Sequence, residues 1–276
     1  MVAREQKIKG QGVKVIVLRT AGTNCDQETG FAFKNFGADV DFVHINQLFT
    51  QKVSLHDYHI LAIPGGFSYG DDVAAGRILG NELRIRLGDD IKKFVAAGKL
   101  VIGICNGFQI LVKAGILPGV EGEAAGYSQG ATLMINDSGK FEDRWIHLQV
   151  SGRSAWTEGL DANLFLPVAH AEGKFVPKSE AMMEKLRKNG QIVFCYSSPQ
   201  GKAVRYPENP NGSVENIAGV CDPTGRILGL MPHPERHFFF TQHPFWTRLA
   251  DRKELGDGAR IFENGINYIR NKFLKS

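Results

Sequence analysis

Apolar residues along this chain fall into short unbroken runs separated by stretches with helical spacing, and that alternation sets the expected fold. Val13 to Leu18 (VKVIVL) is a continuous, β-branched run of the kind found in a strand buried on both faces. Helical spacing follows from Glu28 to Phe36 and stops at Gly37, a C-cap signal, before Val40 to Ile45 (VDFVHI) predicts a second strand. Ile60 to Ile63 predicts a third, cut off by Pro64-Gly65-Gly66. Ile91 to Ala97 continues a helix that closes at Gly98, and Leu100 to Ile104 (LVIGI) predicts a fourth strand, followed at once by an apolar helix from Phe108 to Lys113. Strands alternating with helices at this spacing predict an α/β fold, an open, doubly wound, mostly parallel sheet flanked by helices.

The middle of the chain is less regular. Ala131 to Ile135 and Trp145 to Val150 predict strands with turn chemistry between them (Asn136-Asp137-Ser138-Gly139), a small antiparallel excursion. Glu180 to Lys188 predicts a helix, Ile192 to Tyr196 a strand, and Pro207 to Gly212 a loop. A late strand, Ile227 to Met231, ends in Pro232-His233-Pro234-Glu235, and Ala259 to Phe273 predicts the last helix. No internal repeat interrupts this order. The expected organisation is one domain over residues 13–276 behind a flexible polar tail, residues 1–12.

Composition narrows the function classes. With 276 residues, 43% hydrophobic and 22% charged, the chain can bury a full core. Its net charge of +4 and pI near 8.8 are spread along the sequence apart from short clusters such as Lys185-Leu186-Arg187-Lys188, which predicts a solvated surface and no nucleic-acid partner. Cys25, Cys105, Cys195 and Cys221 form no CxxC pair, so neither a structural zinc site nor a disulfide framework is signalled, and a reducing cytoplasm is expected. No apolar run approaches the roughly 20 residues of a membrane helix, and MVAREQKIKGQG lacks the apolar core of a signal peptide, so no membrane association is expected.

In open α/β sheets ligands bind beyond the carboxyl ends of the strands. Cys105 stands at such an end inside Gly103-Ile104-Cys105-Asn106-Gly107, the cysteine counterpart of the G-x-S-x-G nucleophile elbow. A helix N-terminus there favours a thiolate, although a cysteine within an apolar run is also a common core residue. His233 follows another strand, and in an extended His-Pro-Glu segment Glu235 points to the same side and can hold the imidazole. A proline-stiffened surface turn is the plain alternative, and metal binding by His233 and Glu235 lacks an obvious third ligand. Gly65-Gly66 at the third strand end can turn backbone N–H groups inward as an oxyanion hole, or can simply make a tight turn.

Taken together, GICNGFQIL, PGGFSYGDDVAAGRIL and GLMPHPER resemble the class I, triad-type glutamine amidotransferases, which have a flavodoxin-like sheet. Gly22-Thr23-Asn24-Cys25-Asp26, His170-Ala171-Glu172-Gly173-Lys174-Phe175 and Asn209-Pro210-Asn211-Gly212-Ser213 are similar to a narrower group, the glutaminase subunits of phosphoribosylformylglycinamidine synthase. The resemblance implies Cys105 as nucleophile, His233 as general base and acid, and Glu235 as its orienting partner. It further implies an oxyanion hole from the N–H groups of Gly66 and Asn106, and substrate contacts from Gln109, Gly65 and Phe67, with Arg144-Trp145 a weaker candidate. Glutamine would be hydrolysed to glutamate and ammonia through a thioester on Cys105. The ammonia would pass to a synthetase subunit, assisted by a small third subunit, that makes formylglycinamidine ribonucleotide. ATP and Mg are expected on that synthetase, with no cofactor and no metal on this chain, which has no G-x-x-x-x-G-K-[ST] loop. Ala171 stands where the family pattern expects glycine, and the stretch from His237 to Glu254 is longer than in compact members, which suggests a cover for the sheet or a partner contact. The competing readings are a different thiol hydrolase or DJ-1-like protein on a similar sheet, and a non-catalytic binding module. The second predicts that one of the three triad residues is missing, and none is.

Overall fold

In the computed structural model, residues 12–71, 73–119, 128–200, 202, 204–250 and 253–274 are described; most of the expected tail and Asp72 of the FSYGDD stretch lie outside them. The elements are β1 (Lys14–Arg19), α1 (Asp26–Asn35), β2 (Asp39–His44), α2 (Ile45–Phe49), β3 (Ile60–Ile63), α3 (Arg77–Ala96), β4 (Leu100–Ile104) and α4 (Asn106–Lys113). They continue with β5 (Ala131–Met134), β6 (Glu142–Val150), β7 (Asn163–His170), β8 (Lys174–Pro177), α5 (Glu180–Lys188), β9 (Ile192–Ser197), β10 (Ile217–Cys221), β11 (Ile227–Leu230) and α6 (Ala259–Ile269).

Among the described residues nine strands form one sheet in the order β2-β1-β3-β4-β11-β10-β9-β6-β7, and β5 pairs with β8 in a separate antiparallel ribbon. Pairing is parallel from β2 to β11 and antiparallel from β11 to β7. The continuous apolar runs become the central strands: β3, β4, β10 and β11 are buried along their whole length. β7 carries Pro167 and lies at the sheet edge, where a missing backbone donor does least harm.

The chain runs from β1 outward to β2, then returns across β1 to β3 and β4. Right-handed crossovers therefore put α1 and α3 on opposite faces and leave a topological switch between β1 and β3. α1 packs with α6 through an edge-to-face contact of Phe33 and Phe262, with ring centroids 5.0 Å apart, while α3 packs with α4. The long stretch after His237 covers one end of the antiparallel half. His243 lies against Phe165 and Trp145 at 4.9 and 5.8 Å, and Phe238 is buried beside Phe36. Among the described residues no helix is long and apolar enough to cross a membrane.

Candidate active site

The candidate functional side chains stand at the carboxyl ends of neighbouring strands, around the switch point. After β1 the chain turns through Gly22 to Cys25, and after β3 through Gly65 and Gly66; a bridge between Thr23 and Gly66 ties these turns together. Cys25 N and Asn24 N both donate to Gly65 O, at 3.2 and 3.4 Å, and Phe67 N donates to Gly22 O at 2.8 Å. Gly66 holds φ 144°, a conformation strained for any residue with a side chain, so only glycine closes this junction without cost.

Cys105 joins β4 to α4 with φ 51° and ψ −105°, outside every region an L-residue prefers. Neighbouring backbone enforces the bend: a Cβ on Gly107 would lie 1.9 Å from Ile63 O, and one on Gly103 2.6 Å from Gly107 O. Cys105 N donates to Leu230 O at 2.8 Å, so the elbow is fastened to β11, the strand that leads to His233. The side chain is 5% exposed, and its sulfur lies 3.6 Å from Ala169 O at the end of β7. The strained elbow and the burial thus coexist: the apolar run is the strand, and the cysteine sits on its tip.

His233 and Glu235 are buried, with His233 Nδ1 2.7 Å from Glu235 Oε1. His233 N donates to Pro167 O at 2.8 Å, which fixes the backbone of the imidazole-bearing turn against β7. Burial alone would push the His233 pKa down, but the Glu235 carboxylate, helped by the Cys105 and Cys25 thiols, holds it well above 6.5. His233 Nε2, facing away from Glu235, and the second carboxylate oxygen Oε2 are buried without a hydrogen-bond partner. How closely these groups converge is measured at Gly65: a methyl placed there would lie 2.8 Å from His233 Cε1, 3.1 Å from Cys25 Sγ and 3.5 Å from Cys105 Cβ.

Cys25 is the residue that sequence reasoning left unresolved. Its sulfur is 4.0 Å from His233 Nδ1, donates to Asn24 Oδ1 at 3.1 Å and accepts from Arg236 Nη2 at 3.1 Å. Burial pushes this thiol's pKa up, against the lowering effect of His233 and Arg236. Its position after a strand was the available signal; its approach to the Glu235 side of the imidazole depends on contacts between distant segments.

The remaining candidates form a polar network around the elbow helix. Asn106 Oδ1 accepts from Ser68 N at 3.1 Å, and its Nδ2 donates to Asp71 Oδ1 at 3.2 Å and to Gln109 Oε1 at 2.9 Å. Gln109 Nε2 donates to Glu172 O at 2.5 Å, so this side chain spans from the elbow to the loop after β7 rather than standing open. Phe67 is 44% exposed and stacks on Phe141. Sequence reasoning missed Lys113, which is buried on α4 and donates to Ala75 O at 2.6 Å and to Glu172 Oε2 at 3.1 Å. Burial pushes the Asp71 carboxyl up to about 6, with Glu172 adding to the rise and Gly76 N–H, Lys113 and Asn106 opposing it. Arg144 pairs instead with Glu142 and donates to Tyr206 Oη, and Trp145 stacks on Phe165.

Asn209-Pro210-Asn211-Gly212-Ser213 supports the site from behind. Asn211 Nδ2 donates to Tyr196 Oη at 2.9 Å and lies 3.5 Å from His170 Nε2, and Asn136 Oδ1 is 3.2 Å from His170 Nδ1. Burial lowers the His170 pKa to about 3, so this ring is neutral and braces the end of β7 and the loop that carries Glu172. Ala171 keeps its backbone out of the left-handed region, so alanine is accommodated where glycine was expected. A cavity of about 530 Å³ opens over the motif, lined by Asp137, Lys140, Tyr206 and Asn209, away from Cys105 and His233.

A strained cysteine at a strand-to-helix elbow, a buried His–Glu pair just after the neighbouring strand and a doubly wound sheet define the class of the triad-type glutamine amidotransferases. The model of the CobB/CobQ-like glutamine amidotransferase domain matches residues 12–269. The phosphoribosylformylglycinamidine synthase subunit PurQ of Dehalococcoides mccartyi is 47% identical over 94% of this chain and 98% of that protein. The subunit of the same name from Methanococcus maripaludis is 39% identical over 93% of this chain and 98% of that protein. Among solved structures, PurLQS from Thermotoga maritima matches with a TM-score of 0.70 and 30% identity, over 94% of this chain and 99% of the matched chain. The chain belongs to the PurQ family of glutamine amidotransferases.

Proposed function

We propose that this chain is the glutaminase subunit of phosphoribosylformylglycinamidine synthase, a single amidotransferase domain over residues 13–276 acting in the cytoplasm. The observation that carries the reading is His233, paired to Glu235 at 2.7 Å, standing across Gly65 from the elbow cysteine. Cys105 passes its thiol proton to His233, and its sulfur attacks the side-chain amide carbon of glutamine. The N–H groups of Gly66 and Asn106 stabilise the oxyanion; losing one such donor typically costs about 3 kcal/mol of transition-state stabilisation. A His233 whose pKa is raised by its carboxylate holds the proton needed by departing ammonia, and the neutral ring then takes a proton from the water that releases glutamate.

Gln109, Gly65 and Phe67 border glutamine; Gln109 does so as part of the network that fixes Asn106 and Glu172. Ammonia passes to a synthetase subunit that binds ATP and Mg and converts formylglycinamide ribonucleotide to formylglycinamidine ribonucleotide, with a small third subunit in the assembly. The name PurLQS, carried by a solved structure that matches nearly the whole chain, supports that partnership. The test is glutamate release from labelled glutamine by this chain combined with the synthetase and small subunits. Stoichiometric release with formation of the amidine product is expected, and no release in the complete mixture overturns the reading.

A further inference from the structure

In the local sequence His233 and Glu235 lack a third metal ligand, and the fold supplies one. Cys25 Sγ, His233 Nδ1 and a Glu235 carboxylate oxygen lie within 4.8 Å of one another, and all three residues are buried. A thiol, an imidazole and a carboxylate form a donor set suited to zinc and similar borderline divalent cations, and unsuited to magnesium. From these side chains we infer that the Glu235 side of His233 is an inhibitory binding site for a zinc-like divalent cation, with Cys25, His233 Nδ1 and Glu235 as ligands and an open fourth position.

The spacing supports the assignment. With metal bonds of about 2.3 Å to sulfur and about 2.1 Å to nitrogen and oxygen, tetrahedral angles put sulfur and nitrogen about 3.6 Å apart, and nitrogen and oxygen about 3.4 Å apart. The sulfur is 4.0 Å from Nδ1, so it closes by a few tenths of an ångström, and the carboxylate, now at 2.7 Å, swings outward by somewhat more. Glu235 Oε2 is buried without a partner, so the carboxylate has an unused oxygen to offer. A surface cavity of about 490 Å³ bordered by Glu28, Phe31, Lys34 and Phe42 also borders Glu235, whose side chain is fully buried, so a cation reaches the carboxylate only by local movement of the groups around it. Arg236 competes for the same sulfur at 3.1 Å, but it is partly exposed and has a second partner in Glu28, towards which it can withdraw.

Binding displaces the proton of the Cys25 thiol and the proton shared between His233 Nδ1 and Glu235, so the site fills more readily as pH rises. It separates His233 from its carboxylate, and this is why occupancy stops hydrolysis. Magnesium, which prefers six oxygen ligands, leaves the site empty, so a synthetase working in magnesium is unaffected.

The experiment titrates the full-length, reduced and chelator-stripped chain with Zn²⁺ against a chromophoric chelator, and records the Co²⁺ spectrum. One Zn²⁺ per chain is expected, with Co²⁺ showing a thiolate charge-transfer band. Cys25→Ala and Glu235→Gln each weaken binding by at least about tenfold, and Cys105→Ala leaves it within about twofold with the band intact. Equal affinity in Cys25→Ala, loss of the site in Cys105→Ala, or equal occupancy by Mg²⁺ overturns the proposal. If Cys25→Ala does not unfold cooperatively, Cys25→Ser replaces it, and the Cys105→Ala arm decides in either case. These binding measurements do not depend on the glutaminase reading. A further arm does: in the assembled complex Zn²⁺ abolishes the glutamine-supported rate and spares the ammonia-supported one, and equal loss of both overturns the inhibitory role alone.

Discussion

Gly65→Ala tests the geometry most sharply, because it adds a single methyl where the reactive groups converge. Gly65 has an ordinary backbone conformation, so the alanine is not strained in itself. Its Cβ would sit 2.8 Å from His233 Cε1 and 3.1 Å from Cys25 Sγ, against about 3.5–4.0 Å for a relaxed carbon contact. The imidazole must therefore move by about 0.7 Å or more. It cannot do so freely, since Nδ1 is held by Glu235 at 2.7 Å and its backbone N by Pro167 O at 2.8 Å. Overpacking of this kind costs about 1–3 kcal/mol of stability. A displacement approaching 1 Å at the proposed general base lowers the chemical rate by about 10²-fold. The assay is product formation by the complete complex with glutamine or with ammonia as nitrogen donor. The glutamine-supported rate of Gly65→Ala falls by about 10² while the ammonia-supported rate is kept, and a glutamine-supported rate within about twofold of the parent refutes the reasoning. Gly66→Ala is the contrasting change, since its Cβ meets backbone at Gly22 O and Asn24 N, at 2.7 and 2.8 Å, and its φ is 144°; it loses folded protein rather than rate alone.

Further predictions concern the supporting groups. Glu235→Gln removes the charge that holds a proton on His233, and the glutamine-supported kcat drops by up to about 10⁴, as when an orienting carboxylate becomes an amide in a Ser–His–Asp triad. Lys113→Met leaves Glu172 without its cation and costs about 3–5 kcal/mol by denaturant unfolding, part of which the double change Lys113→Met with Glu172→Gln restores. Asp71 has its carboxyl pKa raised from 3.8 to about 6, so the folded state binds a proton more readily than the unfolded chain, and the group weakens the fold as pH rises from 4 through 6. Asp71→Asn is therefore more stable than the parent above pH 6 and indistinguishable from it below pH 4 in urea midpoints; a constant difference across that range contradicts the burial argument.

The parallel half of the fold was legible because its strands are buried on both faces and read as unbroken apolar runs; β3 and β4 run from Ile60 to Ile63 and from Leu100 to Ile104, as their pattern predicted. The antiparallel half was read less fully. β7 contains Pro167, which argues against a strand until the segment is known to lie at an edge, and β10 (Ile217–Cys221) is absent from the expected elements although it is apolar throughout. β8 is four residues long and finds its partner in β5 across a long insertion. In the candidate site, Cys105, His233 and Glu235 are proposed from local pattern alone, because an elbow and a His-Pro-Glu turn are each defined within a few residues. Lys113 could not be read that way: it sits at the end of an apolar helix, and its partners Ala75 and Glu172 come from other segments. Cys25 stands out in the sequence only within the Gly22-Thr23-Asn24-Cys25-Asp26 stretch, whereas its bearing on His233 depends on how the turns after β1 and β3 are bridged.

The central claim is that Cys105 is the nucleophile that releases ammonia from glutamine, and Cys105→Ala in the assembled complex tests it most directly. Glutamine-supported synthesis is expected to vanish while added ammonia restores the parent rate. Equal loss of both rates, or survival of the glutamine-supported rate, contradicts the claim.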